Sequence, residues 1–261
     1  MSYGLYLSAS GVLANLYRQD VFANNLANEA TVGFKVDTPM VRQRPPEVTE
    51  GGFFPGDSNA LLDRLGGGVF AGPQEIRWAP GEPVAGGPLD IYLNKPNHFL
   101  VVGSPTDPAA QRLTRYGSFN LNRRSQLVTA NDGTLVLDVN DQPIVATGAG
   151  EVSITARGEV IQGVDRQVIG RLKIVAVDPL DQLAKDGANR FRVKGDIQQV
   201  ATPVEDATVT PRHLEASGTN PIETLMNIVN ATKAVTGNGN MIRYHDLMMD
   251  RAVNTLGRVV A

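Results

Sequence analysis

Histidine is the side chain best suited to proton transfer or metal binding at neutral pH, and this 261-residue chain has three: His98, His213 and His245. They lie far apart, none within ligand spacing of another, so they do not spell a metal site. His245 falls on an apolar helical seam, where an interhelical hydrogen bond is its expected role. His98 and His213 flank β elements and read as surface or turn residues. The absence of cysteine removes thiolate nucleophiles, thiolate metal ligands and disulfides together. No G-x-S-x-G, P-loop or H-E-x-x-H occurs. Gly66-Gly67-Gly68 has no Lys-Ser/Thr after it and makes no phosphate cradle. Asp138, Asn140 and Asp141 could suggest calcium, but the EF-hand spacing of Gly and Glu is missing, and a turn is the better reading. Asp178, Asp181 and Asp186 are spread through a loop-like stretch. Catalytic, cofactor-binding and metal residues are therefore none, no cofactor is expected, and the chain does not read as an enzyme.

Asn24, Asn25 and Asn28 offer a different chemistry, recognition by amide hydrogen bonds. Three Asn so close together are unfavourable in a helix, because their side chains compete for backbone hydrogen bonds. Either they fray a helix end, or Asn24 and Asn28, one turn apart, present amides to a neighbouring chain, where buried amides fix register. Spacing alone leaves both readings open.

The elements that must position these residues fall into three textures. From residue 1 to about 35, Leu5, Ala9, Val12, Leu16, Gln19, Ala23, Leu26 and Ala30 alternate at spacings of four and three, a helical heptad seam. The first proline is Pro39, and the helix is expected to end near Thr31-Val32-Gly33, with Gly33 suited to a left-handed cap. Residues 220–261 read as a second helix: Asn220 as N-cap, Pro221 at the first position, Glu223 three residues after the cap. Leu225, Ile228, Thr232, Val235, Gly239 and Ile242 begin its seam, and His245, Met249, Ala252, Leu256 and Val259 continue it. Gly237 and Gly239 cost about 2 kcal/mol relative to Ala, so a kink or weak point is expected around 236–240. Between the helices, 36–88 is rich in Gly and Pro and reads as an extended, loop-like connector. From about 89, short β runs recur, among them 89–93, 99–102, 118–121, 134–137, 151–154 and 170–177. Asn131-Asp132-Gly133 is a hairpin signal. Leu121, Val136, Ile154 and Ile174 are expected in the β core.

Charged residues make up 20% of the chain and the net charge is only -3, so neither nucleic acid nor an anionic membrane is an expected partner. No run of about 18 apolar residues exists, and no direct membrane insertion is expected. The N-terminal stretch lacks the basic and apolar regions of a cleaved leader. Both apolar seams are more than one β domain can bury, so the two helices are expected to pair, leaving apolar surface for other copies.

The run Ala23-Asn24-Asn25-Leu26-Ala27-Asn28-Glu29-Ala30-Thr31-Val32-Gly33-Phe34-Lys35 resembles the A-N-N-L-A-N-x-x-T-x-G-[FY]-[KR] signature of flagellar rod and hook proteins. Ser8-Ala9-Ser10-Gly11 fits the same family. Leu113-Thr114-Arg115-Tyr116-Gly117-Ser118-Phe119 is similar to the family's Y-T-R-x-G-x-F, and Gln126-Leu127-Val128-Thr129 to its G-x-L-V-T. Leu214-Glu215-Ala216-Ser217-Gly218 through Glu223 is similar to its L-E-x-S-N-V-x-x-x-E. Gly218 stands where that pattern has Asn, and Asn94-Lys95-Pro96-Asn97-His98-Phe99 replaces its Gly-x-Gly-Phe-Phe. The absence of a long inserted outer domain favours a rod protein over a hook protein. The stretches Leu89-Asp90-Ile91 and 170–175 resemble the proximal-rod type, with the distal-rod protein a near rival.

These readings predict an α+β fold: N- and C-terminal helices paired in coiled-coil fashion, with a central, mainly antiparallel β domain. The expected divisions are 1–35 with 214–261, 36–88, and 89–213. The resemblance implies a structural subunit that self-assembles helically into the hollow rod of the flagellar basal body, spans the periplasm and transmits torque from motor to hook. It further implies export through the flagellar type III apparatus and contact with other rod and hook proteins. A distal-rod or hook-type axial protein is the alternative, and a secreted surface or ligand-binding β protein a weaker one. The expected assembly interface comprises Leu5, Ala9, Val12, Leu16, Ala23, Asn24, Asn25, Leu26, Asn28, Phe34, Leu225, Ile228, Ile242, His245, Met249 and Leu256.

Overall fold

A computed structural model describes residues 2–45, 66–148, 150–195, 197–204 and 207–256. The chain is mixed helix and strand with antiparallel sheets, and divides into two compact units. The first contains Met1–Ala27, Asp37–Arg77 and Asn220–Ala261; the second contains Asn28–Val36 and Trp78–Thr219.

Two long helices dominate the first unit, α1 (Ser2–Ala27) and α2 (Pro221–Arg251). α1 stops at Ala27, several residues before the expected end. α2 starts as read from the sequence: Asn220 caps it, its side-chain oxygen accepting from the Ile222 and Glu223 amides, with Pro221 in the first turn. The expected kink at 236–240 does not occur, and α2 runs unbroken past Gly237 and Gly239. A π-helical turn, Ala252–Leu256, follows it.

α1 and α2 pack against each other in antiparallel fashion. A Cβ added at Gly4 would stand 2.6 Å from the His245 imidazole, and one at Gly11 would stand 2.7 Å from the Asn238 amide. A step of seven along α1 is thus matched by a step of seven back along α2, and each glycine makes room for a polar ring or amide. The buried residues of α2, Thr224 and Ala231, are again seven apart.

Another face of α1 is covered by the chain's own backbone. The Tyr3 hydroxyl donates to the Gly66 carbonyl, the Ser10 hydroxyl accepts from the Val69 amide at 3.4 Å, and the Tyr17 hydroxyl donates to the Gly72 carbonyl at 3.0 Å. The three side chains are seven residues apart, about 10 Å along a helix. Their partners are three apart, also about 10 Å along an extended chain. Gly68, at φ +94°, lets the backbone approach: a Cβ there would lie 2.7 Å from the Ser10 hydroxyl. Part of the expected connector therefore lies along α1. It forms β2 (Val41–Gln43), paired with β3 (Val69–Ala71), and β1 (Val36–Thr38), paired with β4 (Glu75–Arg77). The portion 46–65 lies outside the described residues.

The second unit is built on a six-stranded antiparallel sheet. Its spatial order is Leu183–Lys185 (β15), Arg190–Val193 (β16), Arg112–Thr114 (β8), His98–Val102 (β7), Ile174–Val177 (β14) and Ala201–Pro203 (β17). A three-stranded meander, Val152–Ile154, Glu159–Gln162 and Gln167–Arg171, packs nearby. β5 (Pro83–Ala85) pairs with β19 (His213–Glu215), and β6 (Ile91–Leu93) with β18 (Val209–Pro211). The core gathers Ile91, Leu100, Phe119, Val136, Ile154, Val160 and Ile174. Leu121 is not among them: it is 41% exposed, on the solvent side of its two-stranded ribbon. The Asn131–Gly133 turn forms with Gly133 at φ +69° and its amide donating to the Thr129 carbonyl.

Candidate functional site

The residues expected to carry assembly divide between the two units. In the first, Leu5, Ala9, Val12 and Leu26 are half-buried, while Leu16, Ala23 and Asn24 are exposed. α1 instead buries Ser8, Ala14, Val21 and Asn25 within its own unit. On α2, Ile228, Ile242 and His245 are half-buried, and Leu225 and Met249 are exposed. The side chain of Leu256 lies outside the described residues. Single-chain packing thus leaves the apolar seam of α1 only partly covered. It leaves a second apolar stripe on α2 as well, Ile222, Met226 and Val229 with Met241, Tyr244 and Met248, all exposed.

Asn25, Asn28 and Phe34 work inside the chain. Asn25 is 1% exposed; its amide donates to the Asp37 carbonyl at 2.7 Å and its oxygen accepts from the Asp37 amide at 3.0 Å. That two-way bond imitates a strand partner. The Asn28 side-chain oxygen accepts from the Thr31 hydroxyl at 3.1 Å. Phe34 is buried in the second unit with the Lys185 ammonium 4.2 Å from its ring centroid. Gly33 is needed at φ +67°, but not as a helix cap: a Cβ would meet the Arg115 carbonyl at 2.8 Å.

The second unit holds a constellation that the sequence reading did not single out. Lys35, Arg115 and Glu215 are all less than 2% exposed or nearly so, and they meet in one cluster. The Lys35 ammonium donates to Glu215 Oε1 at 2.6 Å and to the Ala79 carbonyl at 3.0 Å. Arg115 Nε donates to Glu215 Oε2 at 2.8 Å. Its other nitrogens donate to the carbonyls of Leu93, Lys95, Pro96 and His98. The Gly81 amide completes the carboxylate at 2.9 Å. Buried charge is tolerated only when paired and hydrogen-bonded in this way. Burial, and then Arg115, push the Lys35 ammonium down to about 8, against the pull of Glu215. Each member is a charged residue set among apolar or aromatic ones in a different family-like run: Phe34-Lys35, Thr114-Arg115-Tyr116 and Leu214-Glu215. That was the available signal.

Nothing in the cluster resembles a catalytic site, since every polar atom named is spent on a structural partner. His98 is buried rather than at the surface, its ring held neutral-leaning by burial, Lys95 and Arg115. His213 lies in β19, its Nδ1 2.9 Å from the Pro211 carbonyl. Asp138 forms the expected turn, accepting from the Asn140 and Gln142 amides, and Asp141 pairs with Lys173 at 2.6 Å. Among the described residues no group of His, Asp and Glu is arranged to hold a metal ion.

The family model described as "Flagella basal body rod protein" matches residues 5–35, which is α1 and the turn after it. The flagellar basal-body rod protein FlgF of Caulobacter vibrioides is 29% identical over 99% of this chain and 100% of its own. Over nearly its whole length the chain is similar to flagellar basal-body rod proteins. FlgG of the same organism is 26% identical over 94% of this chain and 96% of its own. The flagellar hook-basal body complex protein FlhO of Bacillus subtilis is 22% identical over 99% and 100%. The family is structural and non-enzymatic, in agreement with the absence of a catalytic constellation from the sequence reading.

Proposed function

We propose that this rod-family subunit assembles with copies of itself through the apolar faces that α1 and α2 leave uncovered. The observation that carries the reading is the coincidence of the family match over 5–35 with a helix whose seam residues Leu5, Ala9, Val12, Leu16 and Ala23 are half-buried or exposed in the single chain. Burial of such a seam contributes about 25 cal/mol per Å², and single-chain packing leaves that stabilisation unused. α1 and α2 act as a coiled-coil-like pair, set by the matched steps of seven at Gly4–His245 and Gly11–Asn238. The interface comprises Leu5, Ala9, Val12, Leu16, Ala23, Asn24, Leu26, Leu225, Ile228, Ile242, His245, Met249 and Leu256, and leaves Asn25, Asn28 and Phe34 to their intrachain roles.

The assembled product is the basal-body rod, a hollow shaft that spans the periplasm and passes torque to the hook. Its neighbours are other rod and hook proteins, reached after export through the flagellar type III apparatus. Among the described residues no helix is long and apolar enough to cross a membrane. The resemblance of 89–91 and 170–175 favours a proximal position, with a distal-rod or hook-type position as the rival.

Leu16→Asp and Leu225→Asp test the reading. Each adds a carboxylate to an exposed site, which costs the isolated chain no more than about 0.5 kcal/mol but several kcal/mol once the site is buried by another copy. The variants remain soluble, keep the thermal transition of the second unit, form no sedimentable polymer and leave cells non-motile. Swimming cells would overturn the assembly reading.

A further inference from the structure

None of the buried hydrophobic residues is a methionine among the described residues. Of six methionines in the chain, four lie on α2: Met226 is 61% exposed, Met248 54%, Met241 50% and Met249 39%. Met226, Met241 and Met248 fall in the outer stripe with Ile222, Val229 and Tyr244, on the side of α2 away from buried Thr224 and Ala231. Leucine or isoleucine would serve such a stripe as well by area; the thioether adds reactivity.

We propose that Met226, Met241 and Met248 are an oxidation site that controls whether the outer face of α2 can be buried. The inference rests on the assembly reading above and extends its interface to the exposed outer stripe of α2. A hydroperoxide is the oxidant: its O–O bond breaks, one oxygen joins the thioether sulfur as a sulfoxide, and the remainder leaves as an alcohol or, from hydrogen peroxide, as water. Sulfur loses two electrons and the peroxide gains them. The sulfoxide is a strong acceptor on what was apolar surface, and an apolar contact with a second copy supplies no donor for it. The oxidised subunit is therefore excluded from assembly, whereas one already assembled has its sulfurs covered. The lesion is reversible by methionine sulfoxide reductases.

The test treats the purified full-length chain with hydrogen peroxide, maps added oxygen by peptide mass spectrometry and measures polymer by sedimentation. Met226, Met241 and Met248 take up one oxygen each before Met249 and Met40, which are both 39% exposed. The concentration needed for polymer rises about tenfold or more, as expected for an unpaired polar group in an apolar contact. The thermal transition of the second unit is unchanged. The triple variant Met226→Leu, Met241→Leu, Met248→Leu polymerises like the untreated chain, and still does so after the peroxide dose that oxidises only those three sites in the wild type. Reductase treatment restores the oxidised wild type. Untreated chain that never polymerises under any condition sinks the assembly reading. Untreated chain that polymerises, together with oxidised chain that polymerises equally, sinks this inference alone. Oxidation without preference for the three sites sinks it as well.

Discussion

Glu215→Gln removes one charge and almost no volume, and it should be among the most damaging single changes in the second unit. Among the described residues the carboxylate is the one anion paired with the buried Lys35 and Arg115, at 2.6 and 2.8 Å. Neutralising it leaves two buried cations facing each other. Removing one partner of a buried ion pair costs about 3–5 kcal/mol, a large share of the 5–15 kcal/mol that a domain commonly has. The comparison is Lys35→Met, which discards the cation whose proton is already held weakly and leaves Arg115 and Glu215 paired. Its cost should be about 2 kcal/mol, two net hydrogen bonds. The chain supplies its own probe: Trp78, the single tryptophan, lies 5.6 Å from the Phe99 ring and 5.0 Å from Phe191, and the Arg115 guanidinium stands over Phe99. Urea unfolding followed by Trp78 fluorescence reads both variants. A loss under 1 kcal/mol for Glu215→Gln, or equal losses for the two, refutes the account of the carboxylate as keystone.

Further expectations follow from the same contacts. The Lys35 ammonium titrates near 8 when folded against an ordinary 10.5, so between these values the unfolded chain holds a proton that the folded chain has released. Stability therefore rises with pH through that window, by about 2 kcal/mol from pH 7.5 to 9.5, and the rise is absent in Lys35→Met. Above the window the trend reverses, because burial raises Tyr116 and opposes its ionisation in the folded state. Asn25→Ala strips both bonds from the Asp37 backbone and should cost about 1–3 kcal/mol, seen as faster amide exchange at Asp37 with the six-stranded sheet unaffected. Gly11→Val sets a branched side chain against Asn238 and should loosen the α1–α2 pair by about 1–3 kcal/mol, measured as lost helical circular dichroism without loss of the Trp78 transition.

The two helices, the N-cap of α2 and most of the β runs were legible because each is dictated locally, by period, by Asn220-Pro221 or by alternation around a turn. The seam of α1 was legible as a period but not as a set of partners. Its apolar positions are at best half-buried, while Ala14 and Val21 are buried instead. The helix end was misplaced because Gly33 carries the signature of a cap yet owes its positive φ to the Arg115 carbonyl, a contact across distant sequence. The same distance hid the ion cluster. Lys35 and Glu215 are separated by 180 positions, and no local pattern says that two runs will share a carboxylate. Gly66-Gly67-Gly68 showed only loop character; its function, letting backbone lie on Ser10, needed the helix to be in place.

The first and last segments of the second unit, which lead from α1 and into α2, are clasped together. The Gly33 amide donates to the Glu215 carbonyl at 2.8 Å, the Gly218 amide donates to the Phe34 carbonyl at 3.1 Å, and the Lys35–Glu215 pair lies between them. A pull delivered along the backbone from α1 and α2 therefore meets these clasps before it reaches any strand of the six-stranded sheet. Load is short-circuited across these clasps, and the strands of the second unit that lie between Trp78 and Glu215 are spared the strain. That part of the chain can lengthen, shrink or be remodelled by evolution while the tether that bears force stays the same.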